Sequence, residues 1–189
     1  ITFAPLPDKS AGDAPFTLTA SASSGLPVAF SIVSGAATVS NNLVTLTGGG
    51  TVTVRASQSG NTNFNAAPDI DRSFVVTKLP QTITFGALSK QVVGDAPFAL
   101  SASASSGLPV SFSVLSGPAI LSGNVVTMTG AGLAVLRASQ TGDATNAPAP
   151  NVDQVLLIVP GNNVITDAQR LANGMFTMRF YGDTGTNYV

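Results

Sequence analysis

The chain has 189 residues and a formal net charge of −1, from eight Lys or Arg and nine Asp, with no Glu. Charged residues make up 9%, against roughly 25% in an average soluble domain, and His, Cys and Trp are absent. These counts exclude imidazole acid–base chemistry, thiol chemistry, Cys/His zinc sites and disulfides. They also leave no electrostatic footprint for nucleic acid or an anionic membrane.

From the N-terminus, residues 1–6 read as a first strand. Phe16, Leu18, Ala20 and Ala22 then alternate with Thr17, Thr19, Ser21 and Ser23, the period of two of a half-buried strand. Ser24-Gly25-Leu26-Pro27 supplies turn chemistry, and Val28, Phe30 and Ile32 resume the alternation. Further strands are expected at 37–40, 43–47, 51–57 and 70–77, separated by Asn41-Asn42 and Gly48-Gly49-Gly50. Seven short strands with closely spaced turn signals predict an immunoglobulin-like β-sandwich, without the Cys–Trp–Cys signature of antibody domains.

The pattern then repeats. Ile1-Thr2-Phe3 returns as Ile83-Thr84-Phe85, Gly12-Asp13-Ala14-Pro15-Phe16 as Gly94-Asp95-Ala96-Pro97-Phe98, and Arg55-Ala56-Ser57-Gln58 as Arg137-Ala138-Ser139-Gln140. Every pair is offset by 82 residues, without a gap. Lys78-Leu79-Pro80-Gln81-Thr82 joins the copies; it contains Pro and lacks a Gly/Ser run, so it reads as a stiff joint, and two sandwiches so joined should form a rod. The fold class expected is all-β: two tandem immunoglobulin-like β-sandwiches, over 1–80 and 81–160, plus the start of a third β module over 161–189. In that last stretch residues 166–170 read as a turn or short strand. Met175, Phe176, Thr177, Met178, Arg179, Phe180 and Tyr181 alternate strongly. A hairpin alone is marginal in water, so this segment is expected to belong to something longer or to be completed by a neighbour.

The positive mean hydropathy does not signal a membrane span. The longest apolar run, Val155-Leu156-Leu157-Ile158-Val159, has strand length and ends at Pro160-Gly161, so no membrane insertion is expected within the sequence. No signal peptide is legible, because Ile1 opens within a strand-like segment.

Gly-Asp-Ala-Pro-Phe, Ser-Gly-Leu-Pro-Val, Arg-Ala-Ser-Gln and Gln81-Thr82-Ile83-Thr84-Phe85 resemble the tandem immunoglobulin-like repeats of large bacterial secreted and surface proteins. The tail is similar to a module that often follows such repeats. The resemblance implies an extracellular or cell-surface location and a non-enzymatic role as spacer, adhesin stalk or matrix component. It brings no catalytic residues.

Chemistry in the chain itself is sparse. Asp69 and Asp71 flank Ile70 on one strand face, but Asn151 stands at the Asp69 position of the second copy, so a paired-carboxylate site is not expected. Asn61, Asn63, Asn65 and Asp69, with Asp143 and Asp153 in the second copy, offer too few carboxylates for calcium and read as loop polarity. No metal or other cofactor is expected. Arg55 and Asp71, and likewise Arg137 and Asp153, are sixteen residues apart and point outward from strands that should be neighbours, which predicts one structural ion pair in each copy. No Lys holds a common position, since Lys9 aligns with Gln91 and Lys90 with Asp8; this argues against an isopeptide crosslink. Asn-x-Ser/Thr sequons are absent, and aromatics are 6% of the chain. The partners to expect are copies of itself or neighbouring modules of a longer chain, with a surface polysaccharide as another candidate. Two alternatives to the stalk follow: a filament subunit that uses 175–181 as an inter-chain strand, because few charges guard the edges, or a carbohydrate-binding accessory module, which requires an aromatic-lined groove.

Overall fold

A computed structural model describes residues 1–161, 164–170, 176–181 and 187–188. The first repeat contains nine strands: β1 (Thr2–Phe3), β2 (Lys9–Ser10), β3 (Phe16–Thr17), β4 (Ala20–Ser21), β5 (Ala29–Ser34), β6 (Ala37–Ser40), β7 (Leu43–Leu46), β8 (Gly50–Gln58) and β9 (Ala67–Thr77). The second repeats them in order: β10 (Ile83–Phe85), β11 (Gln91–Val92), β12 (Phe98–Ala99), β13 (Ala102–Ala104), β14 (Ser111–Ser116), β15 (Ala119–Ser122), β16 (Val125–Met128), β17 (Gly132–Ser139) and β18 (Val152–Val159). The described residues contain no helix, and the architecture is that of immunoglobulin-like sandwiches in tandem.

The first compact unit comprises Ile1–Gln81 together with Thr141–Ala149. Its sheets are ordered β2-β9-β8-β5, β3-β7-β6 and β1-β4. All neighbours are antiparallel except β2 and β9, which pair in parallel. Alternation on β8 buries Val52, Val54 and Ala56, and on β9 Phe74 and Val76; they meet Phe3, Leu18 and Val44 from the opposing strands. Burying each of the larger aliphatic or aromatic side chains contributes roughly 1.5–3 kcal/mol.

Nine strands rather than seven arise because one expected strand divides and one strand, β2, was not expected. The segment from Phe16 to Ala22 changes sheet: β3 pairs with β7, whereas β4 pairs with β1. Leu18, at the crossing, is buried, and its backbone is held from both sides. Its N–H donates to Asn42 O at 2.8 Å, and Asn42 Nδ2 donates to Leu18 O at 3.3 Å. Within the expected opening strand, 1–6, only Thr2–Phe3 forms a strand; β2 lies beyond it and joins a different sheet.

The second unit comprises Thr82–Gln140 and Pro150–Val189. Its sheets are ordered β11-β18-β17-β14, β12-β16-β15 and β10-β13, the same arrangement. Ile83, Phe85, Leu100, Val126, Ala134, Leu136, Leu156 and Ile158 form its buried interior. Beyond them lie β19 (Val164–Arg170), β20 (Phe176–Tyr181) and β21 (Asn187–Tyr188), an antiparallel sheet in that order. Residues 166–170, read as a turn or short strand, belong to β19.

Candidate functional site

The polar side chains that recur between the repeats are used locally. Arg55 Nε and Nη2 donate to the two carboxylate oxygens of Asp71 at 2.8 Å each, and Asp69 lies 3.6 Å from Arg55 Nη1. Arg137 grips Asp153 in the same bidentate way, at 2.7 and 2.8 Å. Register brings each pair together, since Arg55 stands opposite Asp71 across β8–β9 and Arg137 opposite Asp153 across β17–β18. The guanidinium hydrogen bonds hold both Asp71 and Asp153 below the ordinary carboxylate range and raise the partner arginines. All four side chains are partly exposed to solvent.

Other recurring groups close turns. Asp13 Oδ2 accepts from the N–H of Ser10, and Asp95 Oδ2 from Val92. Ser24 Oγ accepts from the N–H of Leu26, and Ser106 Oγ from Leu108. Asn61 Oδ1 accepts from the N–H groups of Asn63 and Phe64, which turns that oxygen into its own loop. Asp143 Oδ1 does the same for Thr145 and Asn146. These N–H groups, with Lys78 nearby, hold the Asp143 carboxyl below its usual range. Lys9 Nζ sits over the Phe16 ring, 4.9 Å from its centre. No group of three or more His, Cys, Asp or Glu comes together among the described residues.

One tie escaped sequence reading. Arg72 Nε donates to Phe3 O at 2.9 Å, and Gln154 Nε2 donates to Phe85 O at 2.8 Å. Both link the opening strand to the last long strand across 69 positions, with different side chains delivering the same N–H. The only signal available was the shared offset of 82, and the change of residue type hides it.

A groove in the first unit is lined by Leu18, Thr19, Ala20, Val28, Phe30 and Asn42, among others. None of its lining residues titrates, and Phe30 is its one aromatic. Among the described side chains, Phe3 pairs with Phe30, Phe16 with Phe74, and Phe85 with Phe112 as ring contacts.

Within the first unit, the segment Thr141–Ala149 is fastened to the end of the first repeat. Gly49 N–H donates to Ala144 O at 2.8 Å, Leu79 N–H to Thr145 O at 2.9 Å, and Ala147 N–H to Leu79 O at 2.8 Å. Gln81, only 4% exposed, donates from Nε2 to Ala147 O at 2.7 Å, and Lys78 Nζ donates to Asp143 O. Gly48 permits the approach: a Cβ there would stand 2.9 Å from Ala144 O.

On the second unit the outward side of β17 and β18 is apolar beyond the Arg137–Asp153 pair. Leu133 pairs with Leu157 and Val135 with Val155, and Leu133, Val155 and Leu157 are 61%, 54% and 45% exposed. The same positions in the first repeat are Thr51, Val75, Thr53 and Ser73, where the Thr53 and Ser73 hydroxyls share a hydrogen bond at 2.9 Å.

Of the candidate inter-chain strand, Met175 lies outside the described residues. Phe176, Thr177, Met178, Arg179, Phe180 and Tyr181 form β20, whose one edge pairs with β19 and whose other edge meets β21 at Phe180 and Tyr181.

No family model matches the chain, and no curated protein matches it. Among solved structures, it is similar to Drosophila N-cadherin EC1-4, at 13% identity and a TM-score of 0.35, over 93% of this chain and 56% of that one. It is similar to mouse cadherin-23 EC22-24, at 14% identity and a TM-score of 0.34, over 89% and 66% of the two chains. A C-terminal 282-residue fragment of intimin, in complex with the intimin-binding domain of its translocated receptor, matches at 17% identity and a TM-score of 0.30, over 82% and 64%. The chain thus spans about 56–66% of the length of these structures. The assignment of fold stands on strand order and register. No helix among the described residues is long and apolar enough to cross a membrane.

Proposed function

We propose that the chain is a non-enzymatic structural module of the extracellular surface: tandem immunoglobulin-like repeats, over 1–80 and 81–160, of a bacterial stalk, adhesin or matrix fibre. One observation carries the reading. The side chains that recur at an offset of 82 close turns, tie strands or pair with each other, as Arg55 does with Asp71 and Arg137 with Asp153. A repeat that uses its polar groups for its own architecture is suited to extension by addition of further copies. Antibodies against the chain should label intact, unpermeabilised cells, and micrographs should resolve extended projections. Label confined to the cell interior overturns the proposal.

A second reading, a filament subunit, is favoured by the exposed Leu133, Val155 and Leu157 on one sheet face and by the edge of β20 over Phe176–Arg179, which has no partner strand among the described residues. Sedimentation velocity separates the two: a subunit that polymerises shows concentration-dependent growth, and a stalk repeat does not.

A further inference from the structure

The loop that fastens Thr141–Ala149 to the end of the first repeat has a twin. Shifted by 82, Gly142, Asp143, Ala144, Thr145, Asn146 and Ala147 become Gly60, Asn61, Thr62, Asn63, Phe64 and Asn65. The two loops have one conformation. Gly60 and Gly142 have φ of 74° and 76°, and the N–H of Asn61 donates to Phe64 O at 2.9 Å as that of Asp143 donates to Asn146 O at 3.1 Å. In each, a side-chain oxygen at the second position caps two N–H groups further on. Their surroundings differ. In the later loop Ala144 O, Thr145 O, Ala147 N–H and Ala147 O are all bonded to Gly49, Leu79 or Gln81. In the earlier loop residues 61–66 are all exposed, and Phe64 keeps 49% of its surface open to solvent.

We propose that the loop at 61–65 is a docking element for the end of another β-sandwich repeat of this kind, linked in tandem ahead of Ile1 through a joint like that at 78–82. The partner is defined by the chemistry of the docked case. It presents a turn with two consecutive glycines, as at Gly48-Gly49, so that a loop carbonyl can approach its backbone. It also presents an exit strand of the Leu-Pro-Gln type, whose N–H, C=O and amide meet Asn63 O, Asn65 N–H and Asn65 O. Phe64 takes the place of Asn146, the residue bridged in parallel to Leu79, and adds an apolar ring to the contact. A large apolar side chain at the tip of a polar loop has its use there. The missing acid at Asn61 is no obstacle, because Lys78 donates to the backbone oxygen of Asp143 and not to its carboxylate.

The proposal rests on the tandem-repeat reading and is tested apart from it. A chain is made in which residues 1–82 precede the full 189-residue sequence, so that the leading copy offers its own Gly48-Gly49 and Leu79–Gln81 to the following loop at 61–65. Amide hydrogen exchange is then followed by NMR in both proteins. The Asn65 amide should slow by about tenfold or more in the longer chain, toward the rate of the Ala147 amide, which serves as reference in the same molecule. Leu79→Pro in the leading copy removes the N–H that meets the loop and should return Asn65 to its original rate, while the leading copy's β8 amides stay protected. Equal Asn65 rates in both chains, with Ala147 still slow, overturn the docking and leave the surface-module reading to be decided by labelling and micrographs. Slowing of Asn65 in the 189-residue chain as its concentration rises would assign the loop to a second copy instead, and likewise overturn the tandem proposal.

Discussion

Gly35 and Gly117 show how tightly a single residue can be specified here. Their φ values are 99° and 95°, in the left-handed region that L side chains rarely adopt. A Cβ at Gly35 would stand 2.7 Å from Val52 Cα, and one at Gly117 2.9 Å from Ala134 N, both rigid backbone of a central strand. Gly35→Ala and Gly117→Ala should each destabilise their own unit by about 2–3 kcal/mol or more, read from denaturant midpoints. The bidentate ion pairs have a different signature. Asp71 and Asp153 are held below their unfolded values, so their stabilisation is present above the unfolded carboxylate range and is lost as pH falls through the depressed folded values. Asp71→Asn and Asp153→Asn should therefore lower the melting temperature at pH 7 and have progressively less effect toward pH 2. High salt should shrink the difference at pH 7. Sequence alone could place these Arg and Asp on facing strands, because the spacing of sixteen and the alternation were both visible. It could not show that Asp69 lies near Arg55 as well, because that depends on local register at a bulge between Ala56 and Gln58.

At the scale of elements, strands of four residues or more were legible, and the two-residue ones were not. β8 alternates from Thr51 to Gln58 and β9 from Ile70 to Thr77, long enough for a period of two to be counted. The segment from Phe16 to Ala22 alternates just as well, yet it divides between two sheets, because alternation records which way a side chain points and not which strand its backbone bonds. The clamp at the crossing is Asn42, and Asn124 repeats it by donating to Leu100 O at 3.1 Å. Asn42→Ala should cost about 1 kcal/mol in a denaturant titration, with Asn124→Ala matching it in the second unit. The apolar face of β17 and β18 behaves differently. Replacing Leu133 and Val155 by the Thr and Ser found at their equivalents in the first repeat should leave stability within about 0.5 kcal/mol, because these side chains are exposed in the monomer. If that face mediates association, the same double variant should abolish concentration dependence in sedimentation.

For the whole molecule, the first compact unit is not continuous in sequence. Thr141–Ala149 lies between β17 and β18 in the chain, yet it bonds to Gly49, Lys78, Leu79 and Gln81. The buried Gln81 amide is the natural point of attack. Gln81→Ala removes the donor to Ala147 O and should cost the first unit about 1–2 kcal/mol, while faster exchange at the Ala147 amide localises the loss. Lys78-Leu79-Pro80-Gln81-Thr82 reads in the sequence as a stiff joint, and nothing in it announces these contacts. Its backbone and side-chain groups are partners for a segment some sixty residues downstream.

The sequence by itself determined the repeat, its offset of 82, the all-β class and the absence of His, Cys and Glu, because composition and periodicity are properties of order along the chain. It also explains why so few charges suffice: Ser and Thr take many outward positions, and the few charged pairs sit on sheet faces. Tertiary structure alone decided where strands change sheets and that Arg72 and Gln154 do one job with different side chains. It also decided that one of two like-shaped loops is bonded through its backbone while the other stands open. These are contacts between residues dozens of positions apart, made largely through backbone N–H and C=O groups that every sequence shares. No pattern of side chains announces them.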